Sequence, residues 1–181
     1  MPCCLVGSEM CIRDRTNIKN LFAIGDIIGG PWLAHKAMHD ALNCVNYISN
    51  NKTSHKPLVH HIPGCIYSLP QIATVGFTEQ QLIDSNTPYK KGNFPFLANG
   101  KSQTMSNSHG FVKTLFNSET GEFLGAHLIG PDVTEMISTF GLAITSESTE
   151  DEFINTIFAH PTLSESIHES VLSAVDKPIH F

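Results

Sequence analysis

Apolar and polar positions divide the chain into a short first part and a longer second part. In the first part, an apolar run at 21–24 stops at Gly25-Asp26 and predicts a buried strand that presents a carboxylate at its end. Apolar residues then recur at helical spacing and predict a helix over about 32–49. The polar stretch at 50–54 interrupts this pattern, so it is the best candidate for a linker.

The second part contains strand signals first and helix signals afterwards. Short apolar runs predict strands at 65–67, 72–77, 89–96, 111–116 and 123–129, the last two forming a hairpin. Start signals predict helices that begin near residues 78, 132, 148 and 162, with Ser148 as the cap of the third helix. Strands in succession followed by helices in succession indicate an α+β domain, in which helices flank an antiparallel sheet.

Composition narrows the possible partners. The 181 residues carry a formal net charge of −6 and no basic stripe, so we expect no nucleic-acid partner. No apolar run is long enough to cross a bilayer, so we expect no membrane partner. Five cysteines without a C-x-x-C pair indicate reduced thiols. Residues 1–15 fit neither a signal peptide nor a periodic element, and we interpret them as a foreign leader.

The segment 160–165, with the sequence HPTLSE, is the strongest candidate for chemistry. If Glu165 accepts one N–H of the His160 ring, it fixes the tautomer and leaves the other nitrogen for proton transfer. Such a pair is two-thirds of a nucleophile–base–orienter triad, and the sequence offers no third member. Alternatively, Glu165 closes a capping box with Thr162 at the start of the last helix. The pattern leaves both interpretations open.

Two features of the first part are candidates for ligand binding. Asp26 lies where open α/β sheets bind ligands and could accept hydrogen bonds from ribose-like or polyol hydroxyls. Spacing alone favours the alternative, a turn residue that caps its own backbone. His35 and His39 are four residues apart, as in some metal sites, but no third ligand stands at a matching position. We therefore expect no metal.

Five stretches carry a resemblance to a known family. They are NLFAIGD (20–26), LAHKA (33–37), GNFPFLAN (92–99), LGAHLIGP (124–131) and HPTLSE (160–165). In this order, they make the chain from residue 16 onward similar to the C-terminal part of the FAD-dependent pyridine nucleotide–disulfide oxidoreductases. The LAHKA run and the Leu163-Ser164-Glu165 ending resemble the branch that oxidises dihydrolipoamide more than the glutathione-reductase branch.

The resemblance implies that residues 16–56 are the end of an FAD-binding α/β domain, with its last strand and helix. Asp26 would hydrogen-bond the ribityl chain of FAD. The segment expected to line the flavin ring comprises Trp32, Leu33, Ala34 and His35. The sequence has neither a G-x-G-x-x-G fingerprint nor a C-x₄-C pair, so the NAD site and the redox-active disulfide would lie outside this chain.

The resemblance also implies that residues 57–181 are the interface domain through which two subunits form a homodimer. His160 would take protons from dihydrolipoamide thiols, oriented by Glu165, and would serve the flavin and disulfide of the opposite subunit. The expected partner is the lipoyl domain of a 2-oxo acid dehydrogenase complex, in the bacterial cytoplasm or the mitochondrial matrix. Without its own redox centre, the isolated chain is predicted to show no turnover. The alternatives are another disulfide oxidoreductase of the same family, similar to glutathione reductase, and a non-catalytic dimerisation module.

Overall fold

A computed structural model describes residues 16–49 and 58–180. These residues belong to two compact units that meet in the sequence between Val59 and His60. The predicted leader, linker and domain boundary fall outside the described residues and stay predictions.

The first unit contains one helix, α1 (Ala34–Ile48), within its described residues. This helix was predicted from the apolar spacing. The strand predicted at 21–24 does not form, and a 3₁₀ turn at Gly25–Ile28 follows these residues. A strand is stabilised by ladder hydrogen bonds to a neighbour, and the described part of this unit offers no strand to pair with.

A buried ion pair attaches α1 to the turn that precedes it. Lys36 Nζ lies 2.7 Å from Asp40 Oδ2, and both side chains are largely buried. Asp40 accepts the backbone N–H of Gly25 at 3.2 Å, while Lys36 donates to the Gly25 carbonyl at 3.4 Å. Gly25 has φ +72°, and a Cβ there would lie 3.2 Å from the Ala37 side chain, so the turn requires glycine.

The second unit is built on a five-stranded antiparallel sheet with the order β1-β2-β5-β4-β3. Its strands are β1 (Gly64–Ile66), β2 (Gln71–Gly76), β3 (Tyr89–Pro95), β4 (Phe111–Asn117) and β5 (Phe123–Gly130). Its helices are α2 (Glu79–Asp84), α3 (Gly100–Thr104), α4 (Val133–Thr145), α5 (Glu150–Asn155) and α6 (Glu165–Ala174). The predicted α+β class, with helices flanking an antiparallel sheet, is confirmed. Of the helices that the structure describes, none has the length and apolar character to cross a membrane.

One hydrophobic core holds this unit together. Helix α4 packs on β2 and β5, and α6 packs on β3 and β4. The core between them is centred on four phenylalanines, Phe116, Phe123, Phe140 and Phe153, whose ring centroids lie 5.4–5.8 Å apart in neighbouring pairs. Burial of aromatic rings is the largest single contribution that a side chain makes to such a core.

The cap of α5 differs from the prediction by one residue. The N-cap is Thr149 rather than Ser148: its hydroxyl accepts the Asp151 N–H at 3.3 Å, and Glu152 accepts the Thr149 N–H at 2.7 Å. Ser148 is not available as a cap because its backbone bonds the Phe123 N–H and the Ala143 carbonyl. In the sequence, an acidic residue follows either candidate after three positions, Asp151 after Ser148 and Glu152 after Thr149. The contact of Ser148 with Phe123 in β5 decides between them.

Helix α6 sits unusually close to β3. A Cβ on Gly92 would overlap the carbonyl oxygen of Ser170, so the strand and the helix touch through their backbones. The buried hydroxyls of Thr114 and Ser170 lie 2.8 Å apart and add a polar contact between β4 and the same helix. These contacts fix the position of α6, which carries the candidate site.

Candidate functional site

The predicted histidine and glutamate come together in the structure. His160 Nδ1 lies 2.8 Å from Glu165 Oε1. Glu165 is the first residue of α6, where a side chain points back towards the segment that precedes the helix. The His160 side chain is 78% exposed and the Glu165 side chain 31%, so the carboxylate is sheltered while the imidazole is open.

The second oxygen of the same carboxylate stabilises the turn. Glu165 Oε2 accepts the Thr162 N–H at 2.8 Å. The Thr162 hydroxyl donates to the Ala159 carbonyl at 2.7 Å instead of completing a capping box. The two interpretations of the sequence therefore describe two halves of one arrangement, in which Glu165 bonds the turn and the ring together.

The electrostatic surroundings keep Glu165 ionised. Burial alone would raise its pKa, but the Thr162 N–H, the His160 ring, and the charges of His160 and His180 outweigh burial, so the pKa is lowered. An ionised carboxylate can only accept hydrogen bonds, so the hydrogen between the two residues belongs to Nδ1 of His160. The neutral ring then has its lone pair on Nε2, on the open side.

Asn99 joins this turn to the start of α3. It is 5% exposed, and its Nδ2 donates to the Thr162 carbonyl and to Ser166 Oγ, each at 3.0 Å. Its Oδ1 accepts the Ser102 N–H at 2.9 Å and so caps α3. Sequence reasoning matched Asn99 only as part of the stretch 92–99. The two ends of this stretch, Gly92 and Asn99, position α6 and the turn that precedes it.

A second histidine–carboxylate pair follows one helical turn later, and sequence reasoning missed it. Glu169 is 5% exposed, and its Oε1 lies 2.7 Å from His180 Nδ1. Its Oε2 accepts the N–H groups of Ile179 and His180, each at 3.2 Å. Burial by itself would raise the pKa of Glu169, but these bonds and the charge of His180 lower it. The available signal was the four-residue spacing of Glu165 and Glu169 on one helix.

Both pairs line one open cavity of about 720 Å³. The titratable residues in its wall are His160, Glu165, His168, Glu169 and His180, and apolar residues such as Phe94, Ile157 and Ile179 provide the rest. His168 differs from the other two histidines because its Nε2 lies 3.2 Å from the Ile154 carbonyl. The cavity thus combines an apolar wall with two imidazoles whose positions are fixed by carboxylates.

Comparison with known proteins agrees with this architecture. The family model described as "Pyridine nucleotide-disulphide oxidoreductase, dimerisation domain" matches residues 62–171. The chain belongs to this family. The resemblance inferred from the five sequence stretches is confirmed.

Several curated relatives of the chain are named dihydrolipoyl dehydrogenase. The chain is 47% identical over 167 residues to dihydrolipoyl dehydrogenase of Zymomonas mobilis, a match that covers 92% of this chain and 36% of that protein. It is 38% identical over 168 residues to mitochondrial dihydrolipoyl dehydrogenase of Pisum sativum, with coverage of 93% and 33%. The chain therefore spans about a third of the length of these relatives.

A solved structure shares the fold. LpdA from Mycobacterium tuberculosis superposes with a TM-score of 0.82 at 23% identity, over 87% of this chain and 34% of that one. At this identity the likeness is evidence for the fold alone.

The predicted flavin-facing residues of this family member lie around the start of α1. Asp26 stands in the 3₁₀ turn with an exposed side chain, and its backbone oxygen accepts the Gly29 N–H at 3.2 Å. Trp32 is 73% exposed, Leu33 is the N-cap of α1, and Ala34 and His35 are exposed in its first turn. An exposed carboxylate and an exposed indole suit a ligand with hydroxyls and a flat ring. Their role in FAD binding stays a prediction.

Proposed function

We propose that this chain supplies the acid–base pair and the dimer surface of a dihydrolipoyl dehydrogenase. In this proposal His160 accepts a proton from a thiol of dihydrolipoamide, and Glu165 holds the ring in the productive tautomer. The observation that supports it is the 2.8 Å contact between the two side chains, combined with a ring that is 78% exposed.

The proton moves to the open side of the ring. His160 Nδ1–H donates to Glu165, so Nε2 carries the lone pair, and the ring lines the cavity. Removal of the thiol proton gives the thiolate, which is the form that attacks a disulfide. The resulting imidazolium remains bonded to an ionised carboxylate that is already in place. A positioned base of this kind contributes about 10²–10⁴-fold in rate.

The first unit fits a flavin that would complete this chemistry. Asp26 would accept hydrogen bonds from hydroxyls of the ribityl chain, and the segment Trp32, Leu33, Ala34 and His35 would lie against the ring system. When bound, FAD supplies the electron acceptor between the dithiol and NAD. The isolated chain, which has no C-x₄-C pair, is proposed to show no turnover.

The second unit fits a homodimer in which His160 serves the opposite subunit. The match to a dimerisation domain over residues 62–171 supports pairing of two copies. The chain should therefore elute as a dimer at micromolar concentration in size-exclusion chromatography, and a monomer would contradict this part of the proposal. We further propose a lipoyl domain as partner, in a bacterial cytoplasm or a mitochondrial matrix.

The alternative function, a dimerisation module without chemistry, makes a different demand on the site. It needs Glu165 only as a partner of the Thr162 backbone and gives no reason for an open His160. The hydrogen bond between Glu165 and His160 and the exposure of the ring favour the catalytic proposal.

The deciding experiment replaces the base in the full-length enzyme. His160→Gln should lower kcat for dihydrolipoamide oxidation by about 10²–10⁴-fold, with flavin content unchanged. His109→Gln, an exposed histidine outside the cavity, is the matched control and should retain full activity. Unchanged kcat in His160→Gln, or loss of flavin together with activity, would contradict the proposed role.

A further inference from the structure

Helix α6 carries two carboxylates, and each of them bonds the Nδ1 atom of a histidine outside the helix. Glu165 bonds His160 from the segment before α6, and Glu169 bonds His180 from the segment after it. Residues four apart on a helix have Cβ atoms about 5–6 Å apart on one face. The two imidazoles are therefore anchored to carboxylates one helical turn apart, and both line the same cavity.

Glu169 holds the segment that follows α6 in place through three hydrogen bonds. Its carboxylate is almost fully buried and accepts one side-chain and two backbone hydrogen bonds, all from Ile179 and His180. Buried carboxylates need such partners, because an unpaired charge in a protein interior is strongly destabilising. The position of His180 is thus determined by a contact whose loss would leave a buried carboxylate unpaired.

The geometry leaves the second ring nitrogen of His180 for a ligand. Its Nδ1 is bonded to Glu169, and the side chain is 67% exposed at the wall of the cavity. Within residues 16–49 and 58–180, no protein group bonds Nε2 of His160 or of His180. The Nε2 atom of His168, in contrast, is bonded to the Ile154 carbonyl.

We propose that His180 is a positioning residue of this cavity, whose Nε2 accepts a hydrogen bond from the ligand that reaches His160. The ligand is the dihydrolipoamide dithiol of the proposed function, because an S–H group can donate to the lone pair on an imidazole Nε2. This inference rests on the proposed function and extends it. Glu169 acts through His180, by fixing its tautomer and its position.

The kinetic test uses His180→Asn in the full-length enzyme. The asparagine amide N–H can replace Nδ1–H towards Glu169, but the side chain offers no atom in place of Nε2. We expect KM for dihydrolipoamide to rise about two- to tenfold, as for the loss of one hydrogen bond, with kcat nearly unchanged. An unchanged KM would overturn the role of His180.

The two proposals fail in different ways. If His160→Gln leaves kcat unchanged, the proposed function fails. If His160→Gln lowers kcat but His180→Asn leaves KM unchanged, only the positioning role of His180 fails.

A second measurement needs no activity and uses the chain itself. Nitrogen NMR of the histidine rings should show the hydrogen of neutral His180 on Nδ1, and Glu169→Gln should remove this preference. The Ile179 amide should exchange faster in Glu169→Gln but not in His180→Asn, with His109→Gln as the control. A neutral His180 ring with its hydrogen on Nε2 would overturn the proposal.

Discussion

The two units of the chain bury different kinds of side chain. In the described part of the first unit, the buried residues are Gly25, Lys36 and Cys44, while large apolar side chains such as Trp32 and Val45 are more than half exposed. The second unit encloses a continuous apolar core between its sheet and two helices. Exposed apolar surface of this kind is typical of segments that need a further surface to cover them.

This difference carries over to the two candidate sites. The pair His160–Glu165 is completed by residues of its own unit, since Thr162 and Asn99 fix the turn in which it lies. In the segment expected to face a flavin, Trp32, Ala34 and His35 are exposed. We therefore expect the His160–Glu165 site to be formed in the isolated chain and the segment 32–35 to depend on additional surfaces.

The largest effect should come from the aromatic core. Phe123→Ala removes a ring that is 2% exposed and contacts three other phenylalanines. It should lower the free energy of unfolding by about 3–5 kcal/mol, measured by chemical denaturation. Val45→Ala in α1, where the side chain is 62% exposed, is the counterpart and should cost less than about 0.5 kcal/mol. Equal losses in the free energy of unfolding for the two variants would contradict this difference in core packing between the units.

In the first unit, replacing a buried charged residue should destabilise the protein more than replacing an exposed apolar one. Lys36→Met leaves Asp40 buried without its partner and should destabilise α1 by about 3 kcal/mol, measured by hydrogen exchange of the helix amides. Lys19→Met, at an exposed position, is the control. If both variants exchange like the parent chain, the ion pair does not hold α1 to its turn.

Glu169 should make the second unit sensitive to acid. Because its folded pKa is lowered below the ordinary 4.5, its stabilising effect is full above about pH 4.5 and is lost as pH falls through the folded pKa. Glu169→Gln should cost about 2 kcal/mol near neutral pH, and the gap to the parent chain should close in acid. Urea denaturation across this range measures it, with exposed Glu119→Gln as the control. A gap that does not depend on pH would contradict the ionised contact.

The smallest effect tests the cap of α5. Thr149→Ala should lower the free energy of unfolding by about 1 kcal/mol, because the helix loses its capping box. Ser148→Ala should change it by less than about 0.5 kcal/mol. If Ser148→Ala costs more than Thr149→Ala in thermal or urea unfolding, Ser148 is the cap after all.

Sequence patterns were reliable where the interaction is local. The hairpin of β4 and β5, the helix start near residue 78 and the helix over Ala34–Ile48 all follow from neighbouring residues. The strand expected at 21–24 failed because a strand exists only through a partner. The cap at Ser148 failed for a similar reason, since a contact with Phe123, distant in sequence, engaged its backbone.

The sequence alone predicted the partnership of His160 and Glu165 as one of two interpretations, because five residues and a helix start bring them within reach, and the structure showed that Glu165 bonds both the ring and the turn. It could not determine the Glu169–His180 pair, whose members are eleven residues apart and meet only after the chain turns back beyond α6. Nor could it assign Gly92 and Asn99 their roles, since both act on a helix more than 60 residues away. Only tertiary packing brings such groups into contact, because hydrogen bonds and van der Waals contacts act over a few ångströms in space, whatever the separation along the chain.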